Sequence, residues 1–251
     1  MAQVIITLLG LAIGSFLGVV IFRGGALLDK KRSFCDRCQR KLCWWENIPL
    51  ISYVMLKGRC RTCHSPIPCS YLLVELASGV FFLLTYLARE HSLVILFLDL
   101  AIVSFLVLMI FIDWQKRIIP DWITLSLLII TLFYRYFTFL SWSNFFSYVY
   151  AGLAAAFFLL LLHLLTKGQG MGLGDVKFAL FMGIFLGFPQ IILAFYLAVL
   201  TGGLTGVIMI LSKKAKFGQQ IAFGPFLALG FLICIWSGET IIDKIYLWLG
   251  L

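Results

Sequence analysis

Apolar runs near the length that crosses a bilayer follow one another through this 251-residue chain, and they leave little choice of fold. The hydrocarbon layer needs roughly 17–25 apolar residues per helical crossing. Inside it, backbone N–H and C=O groups must be satisfied within the protein, which favours helices. The runs fall at 2–22, 72–88, 93–112, 122–140, 145–166, 176–188, 190–211 and 221–237. The sixth is short, and the seventh follows it across Phe188-Pro189. The tail from Gly238 to Leu251, with Trp248, reads as a short interfacial helix. Charged residues make up 12% of the chain, against about 25% in a soluble domain. The expected fold is therefore an all-α polytopic membrane protein of about eight transmembrane helices. It divides into a first helix at 1–22, a polar loop at 23–71 and a transmembrane bundle at 72–251.

Charge sets the expected orientation. The segment Met1–Phe22 carries no Lys or Arg before Arg23, the reverse of a secretory signal, so it reads as an uncleaved span with its N-terminus outside. The loops 23–71, 113–121, 167–177 and 213–219 then face the cytoplasm, and they hold 17 of the 20 basic residues. Arg89, Arg135 and Lys244 remain on the other side. The net charge of +9 follows this asymmetry, so no nucleic-acid partner is expected. Asp113, Asp121 and Asp175 all fall at the cytoplasmic boundary.

The loop 23–71 is too short to build a large core. Its cysteines supply another way to hold it: Cys35-x-x-Cys38 and Cys60-x-x-Cys63, with 21 residues between the pairs. Two such knuckles offer four thiolates to one tetrahedral structural zinc. Arg37, Arg59 and Arg61 lie beside the thiols and favour the anionic form. Disulfides are the alternative, but a cytoplasmic loop is kept reduced. His64 would be a fifth ligand, and Cys43, Cys69 and Cys234 read as unpaired.

Gly172-Leu173-Gly174-Asp175-Val176-Lys177 puts a carboxylate at the mouth of an apolar run. Such a group is costly and marks a candidate site, although an acid also suits a helix N-terminus. Asp113 lies at the C-terminal end of the third run, where the helix dipole opposes a negative charge. Pro120-Asp121 reads as a helix start. Asp99 lies deeper and reads as a packing partner. Two carboxylates at one depth on different spans can converge. They cannot both lose their protons easily, so one becomes an acid and the other a base. That pair can hydrolyse a peptide bond through an activated water. Lys177 either tunes Asp175 or reaches out to the headgroups.

Taken in order, these motifs resemble the type IV prepilin peptidases, bifunctional leader peptidases and N-methyltransferases of the GxGD intramembrane aspartyl protease class. The resemblance rests on Gly14-Ser15-Phe16-Leu17, the paired knuckles, Glu46-Asn47-Ile48-Pro49-Leu50-Ile51-Ser52-Tyr53 and Lys57-Gly58-Arg59-Cys60. It continues through Val74-Glu75-Leu76, Asp113 with Ile119-Pro120-Asp121, the stretch Gly172–Lys177, and Phe223-Gly224-Pro225-Phe226. It implies Asp113 and Asp175 as catalytic aspartates, with Gly172, Gly174, Lys177, Asp121, Gly224 and Pro225 in support. It implies prepilin and pseudopilin substrates in the bilayer of a bacterial inner membrane. It also implies methylation of the new amine with S-adenosylmethionine.

Where the family carries Tyr-Pro, this chain has Tyr71-Leu72, and Cys63–Ser70 is locally divergent. No glycine-rich fingerprint of a soluble methyltransferase is present, so the methyl-donor site must come from the 23–71 loop and nearby span ends. Glu46, Asn47 and Glu75 are its candidates. The rival readings are an ion-coupled transporter, a zinc-knuckle assembly factor, and a peptidase without methyl transfer.

Overall fold

A computed structural model describes residues 1–23, 33–88, 92–138, 142–168, 171–213 and 222–250. The basic residues Lys30, Lys31, Arg32, Arg89, Lys214 and Lys216, together with Gly170, lie outside the described residues. The described chain is helical: α1 (Ala2–Arg23), a 3-10 turn (Trp44–Asn47), α2 (Ile51–Met55), α3 (Cys69–Ala88) and α4 (Leu93–Lys116) come first. Then follow α5 (Asp121–Thr138), α6 (Trp142–Leu165), α7 (Leu173–Leu186), α8 (Gln190–Leu211) and α9 (Gly224–Leu249). Among the described residues, six helices are long and apolar enough to cross a membrane, namely α1, α3, α4, α6, α8 and α9. The chain is a multi-pass membrane protein.

α5 is less apolar along its length, and α7 has 14 residues, about 21 Å at 1.5 Å per residue. The expected separate interfacial helix after Gly238 does not form, because α9 runs unbroken to Leu249. A glycine in a helix costs only about 1 kcal/mol and keeps its N–H, so the ladder continues through it. Gly238 is buried, with Cys234 and Gln190 beside it.

The chain forms two compact units, Met1–His91 with Asp99–Leu108, and Ser92–Leu98 with Met109–Leu251. In the first, α1 packs along α3. Tyr71 stacks on Phe22 with ring centroids 4.3 Å apart. α3 begins three residues before the expected 72, directly after Pro68. Proline is tolerated at a helix start, so Pro68 leads into α3 although Leu72 replaces the family's proline.

In the second unit α7 is the hub, packed against α5, α6, α8 and α9. Phe178, Phe181 and Phe185 are buried along it, and Phe231 of α9 stacks on Phe181 at 4.9 Å and on Phe185 at 5.2 Å. α6 and α7 cross backbone to backbone. A Cβ on Gly183 would lie 2.5 Å from Gly152 Cα and 2.7 Å from Ala151 O. Small residues at a membrane helix crossing allow this approach. In the same last turn of α7, Arg135 of α5 donates to the carbonyls of Ile184 and Phe185 and lies 3.5 Å over the Tyr148 ring. A short helix has carbonyls at its C-terminus that need a donor, and Arg135 supplies one.

Gly183→Ala should therefore destabilise the protein by about 1–3 kcal/mol, since the clash is with backbone that cannot rotate away. Gly203→Ala, with nothing within 4 Å of the added carbon, should not lower stability. Thermal unfolding of the two variants in detergent would check the contrast; equal melting temperatures would rule out the backbone crossing.

Candidate functional site

Asp113 lies in the last turn of α4, and Asp175 is the third residue of α7. Both are buried, at 4% and 7% exposure, and their carboxylates interact electrostatically. Each is held by a backbone N–H from a helix start. Gly224, the first residue of α9, donates to Asp113 Oδ2 at 3.1 Å. Gly172, the N-cap of α7, donates to Asp175 Oδ2 at 3.0 Å. The first N–H groups of a helix have no partner within it and carry partial positive charge, so they suit a carboxylate. Asp175 is thus a helix cap and half of a carboxylate pair at once, and the two readings of this residue do not compete.

A Cβ on Gly224 would sit 2.7 Å from Asp113 Oδ2, so glycine is what lets this N–H reach the carboxylate. Pro225 follows in the first turn of α9, where its missing N–H costs nothing. Ile119 is the residue that sequence reasoning gave no role: a Cβ on Gly174 would meet its Cβ at 2.9 Å, and one on Gly224 would meet its Cδ1 at 3.2 Å. Its side chain therefore lies between the two glycine-bearing helix starts. Lys177 has an ion-pair partner that the sequence did not suggest. It donates to Asp121 Oδ1 at 2.6 Å, tying the first turns of α5 and α7. At 49% and 75% exposure this pair adds little stability. Asp99 is buried in α4, about 21 Å along the helix from Asp113 and outside the pair.

In the first unit the four expected cysteines come together, their sulfurs all within 4.8 Å of one another. The two knuckles have one design. Gln39 N–H donates to Cys35 O and His64 N–H to Cys60 O, and Gln39 and His64 each take a positive φ. His64 therefore closes a turn, and the four-sulfur cluster does not include it. Cys35 and Cys63 sulfurs lie 3.8 Å apart, and those of Cys38 and Cys60 4.0 Å. A tetrahedron with zinc–sulfur bonds near 2.3 Å has edges of about 3.8 Å, so the donor set fits. The hydroxyl and N–H of Ser65 pull the Cys63 thiol down to about 6. Against the pull of the Arg40 N–H, burial and the neighbouring sulfurs push Cys38 up to about 11. Four crowded thiols cannot all ionise without a cation among them.

Beside this cluster lies a cavity of about 400 Å³ lined by Ser15, Glu46, Asn47, Tyr53, Tyr71 and Glu75 among others. All three methyl-donor candidates face it. Glu46 is committed on both oxygens: Arg40 Nη2 donates to Oε1 at 2.5 Å and Cys43 N–H to Oε2 at 2.7 Å. Burial alone would raise this carboxyl, but those two donors outweigh it and hold it below its usual range. Glu75 accepts from Leu50 N–H at 2.9 Å and from the Ser15 hydroxyl. Leu50 itself sits at φ 59°, ψ −49°, with Ile51 N–H donating back to Pro49 O at 2.6 Å. That is a γ-turn of the rare positive-φ form, strained for a leucine. Arg40 had no signal of its own in the sequence, since a charge six residues from an acid is ordinary in a basic loop, and Ser15 stood in the Gly14–Leu17 motif without a role.

Two family profiles match the chain: the bacterial peptidase A24 N-terminal domain over residues 8–89, and the type IV leader peptidase family over residues 100–207. Among curated relatives, a prepilin leader peptidase/N-methyltransferase of Pseudomonas aeruginosa is 32% identical, covering 96% of this chain and 91% of the relative. Proteins of the same name from Legionella pneumophila and Neisseria gonorrhoeae are 31% and 29% identical, covering 95% and 96% of this chain and 92% of each relative. No solved structure matches. Fold and sequence together define a multi-pass membrane enzyme of a peptidase class. The chain belongs to the type IV leader peptidase family.

Metal analysis of the purified protein should find about one zinc per chain, because four thiolates make one tetrahedral site. Cys60→Ser should lose it; full zinc content in that variant would exclude the four-sulfur site.

Proposed function

We propose that this enzyme removes the basic leader from prepilins and pseudopilins at the cytoplasmic membrane face and N-methylates the residue it exposes. The observation that carries the reading is the buried pair Asp113 and Asp175, each held by one backbone N–H. The names of the curated relatives support the substrate and both reactions. In this reading α5 and α7 complete eight crossings and the N-terminus lies outside. Both aspartates then face the side on which a Lys- and Arg-rich leader is retained.

One aspartate is ionised and takes a proton from water as the water oxygen attacks the scissile carbonyl. The other is protonated and donates to the carbonyl oxygen as the tetrahedral intermediate forms. Collapse breaks the C–N bond: the leaving nitrogen takes the proton from the protonated aspartate, and a hydroxyl of the intermediate returns its proton to the pair as the new carboxyl forms, restoring one acid and one base. Among the described residues Gly172 and Gly224 donate to Oδ2 of each aspartate, and Oδ1 of each does this work. Gly172 gives a substrate backbone room beside Asp175, while the space at Gly174 is taken by Ile119.

The cavity of the first unit fits the second reaction. Its volume is that of a small-molecule site, and it offers carboxylates and tyrosines to a positively charged ligand. S-adenosylmethionine, when bound, supplies a methyl group on a sulfonium. Glu75, Asn47 and Ser15 would hold it, while Glu46, neutralised by Arg40, keeps the loop in shape. Cys35, Cys38, Cys60 and Cys63 would hold a structural zinc that stiffens one wall.

Asp113→Asn and Asp175→Asn should each lower prepilin cleavage by about 10²–10⁴-fold, the usual worth of a general acid or base. Both should still methylate a substrate supplied already cleaved, read with labelled S-adenosylmethionine. Unchanged cleavage by either variant would overturn the two-aspartate reading, and full cleavage without label would leave a peptidase alone.

A further inference from the structure

The loop between α1 and α3 carries an apolar surface that none of the described residues covers. On α2, Ile51, Val54 and Met55 are 56%, 70% and 68% exposed, and Trp44 of the adjoining 3-10 turn is 80% exposed. Ile51, Val54 and Met55 stand at i, i+3 and i+4, one face of a helix. The opposite side supplies Ser52, Tyr53 and Leu56 to the lining of the cavity. α2 therefore has an inner polar-aromatic face and an outer apolar one, the reverse of what a water-facing loop needs. Scattered apolar residues on a surface need no explanation, but a contiguous patch does.

Contacts to α3 fix the depth of this patch. Leu50 N–H reaches Glu75, and Tyr53 Oη lies 3.1 Å from Cys69 Sγ. Cys69 is the first residue of the span α3, and Glu75 lies about 9 Å further along it. The headgroup region on one side of a bilayer is of that order, about 5–8 Å. α2 thus runs beside the part of α3 that passes from headgroups into acyl chains. Exposed Lys57 and Arg59 follow α2 directly, and Lys41 and Arg37 are exposed on the first knuckle segment.

We propose that α2 and Trp44 form an interfacial wedge that seats the cysteine loop on the cytoplasmic leaflet. Ile51, Val54, Met55 and Trp44 enter the headgroup–acyl boundary, and Lys57 and Arg59 pair with anionic phospholipid headgroups. Apolar insertion backed by basic residues is how surface-lying helices bind membranes. The strained turn at Leu50, anchored on Glu75, fixes the angle at which α2 leaves the cavity wall. The cavity then opens at the membrane surface. This inference does not depend on the proposed reactions.

The test uses the full chain in nanodiscs of equal phosphatidylcholine and phosphatidylglycerol. The photocrosslinking residue benzoylphenylalanine replaces Val54 in one preparation, Met55 in a second, and Gln39 on the first cysteine turn as control. Mass spectrometry should find lipid adducts at Val54 and Met55 well above Gln39. Adducts should favour phosphatidylglycerol by roughly fivefold or more, the worth of one or two basic residues at an anionic surface. Lys57→Glu with Arg59→Glu should abolish that preference. Adduct yields at both positions no higher than at Gln39, or equal capture of the two lipids, would overturn the proposal. Capture of added prepilin in place of lipid would overturn it too, by assigning the face to the substrate.

Discussion

A carboxylate inside an apolar bundle must be met by a donor, and in this protein the donors are backbone N–H groups at two helix starts. Gly172 N–H holds Asp175, and Gly224 N–H holds Asp113. The alternative, an unanswered buried charge, costs far more than the bundle can supply. Much else in the second unit serves to put those helix starts in place. The bare backbone crossing at Gly152 and Gly183, the phenylalanine stack of Phe181, Phe185 and Phe231, and the cap from Arg135 all fix α7. Since α9 packs on α7 and α8, the same framework holds Gly224 against Asp113.

The first unit solves a different problem. Its loop lacks the length for a core, and it is organised by a four-sulfur cluster, an Arg40–Glu46 pair and a hydrogen bond from Leu50 to Glu75. Each of these ties a polar segment to its neighbour. Together they enclose a cavity that neither α1 nor α3 could form alone, because two apolar helices packed side by side leave no polar recess.

What could be read from residues follows physical periodicity and spacing. Helices α1, α3, α4, α6 and α8 lie close to the apolar runs, because burial in lipid demands length and hydrophobicity that are visible one residue at a time. The cysteine cluster was legible because each knuckle is local and the ligands need only two matched pairs. Asp113 and Asp175 stood out because an acid at the edge of an apolar run is costly. The expected break in the tail does not occur, because a single glycine need not stop a helix and α9 continues through Gly238, buried against Gln190 of α8. The partner of Lys177 was not legible either, since Asp121 lies 56 positions away in the chain.

By itself, the sequence determined that this is a helical membrane protein, where a loop with two paired cysteine knuckles interrupts it, and which carboxylates are out of place in an apolar setting. These are properties of composition and short-range order. Only the tertiary structure decided what answers those carboxylates, because a backbone N–H has no residue signature and Gly224 lies 111 positions from Asp113. It also decided that Glu46 is neutralised while Glu75 faces the cavity, and that α2 turns its apolar side outward. Such choices depend on which surfaces remain after the helices have packed, and packing is a property of the assembled chain.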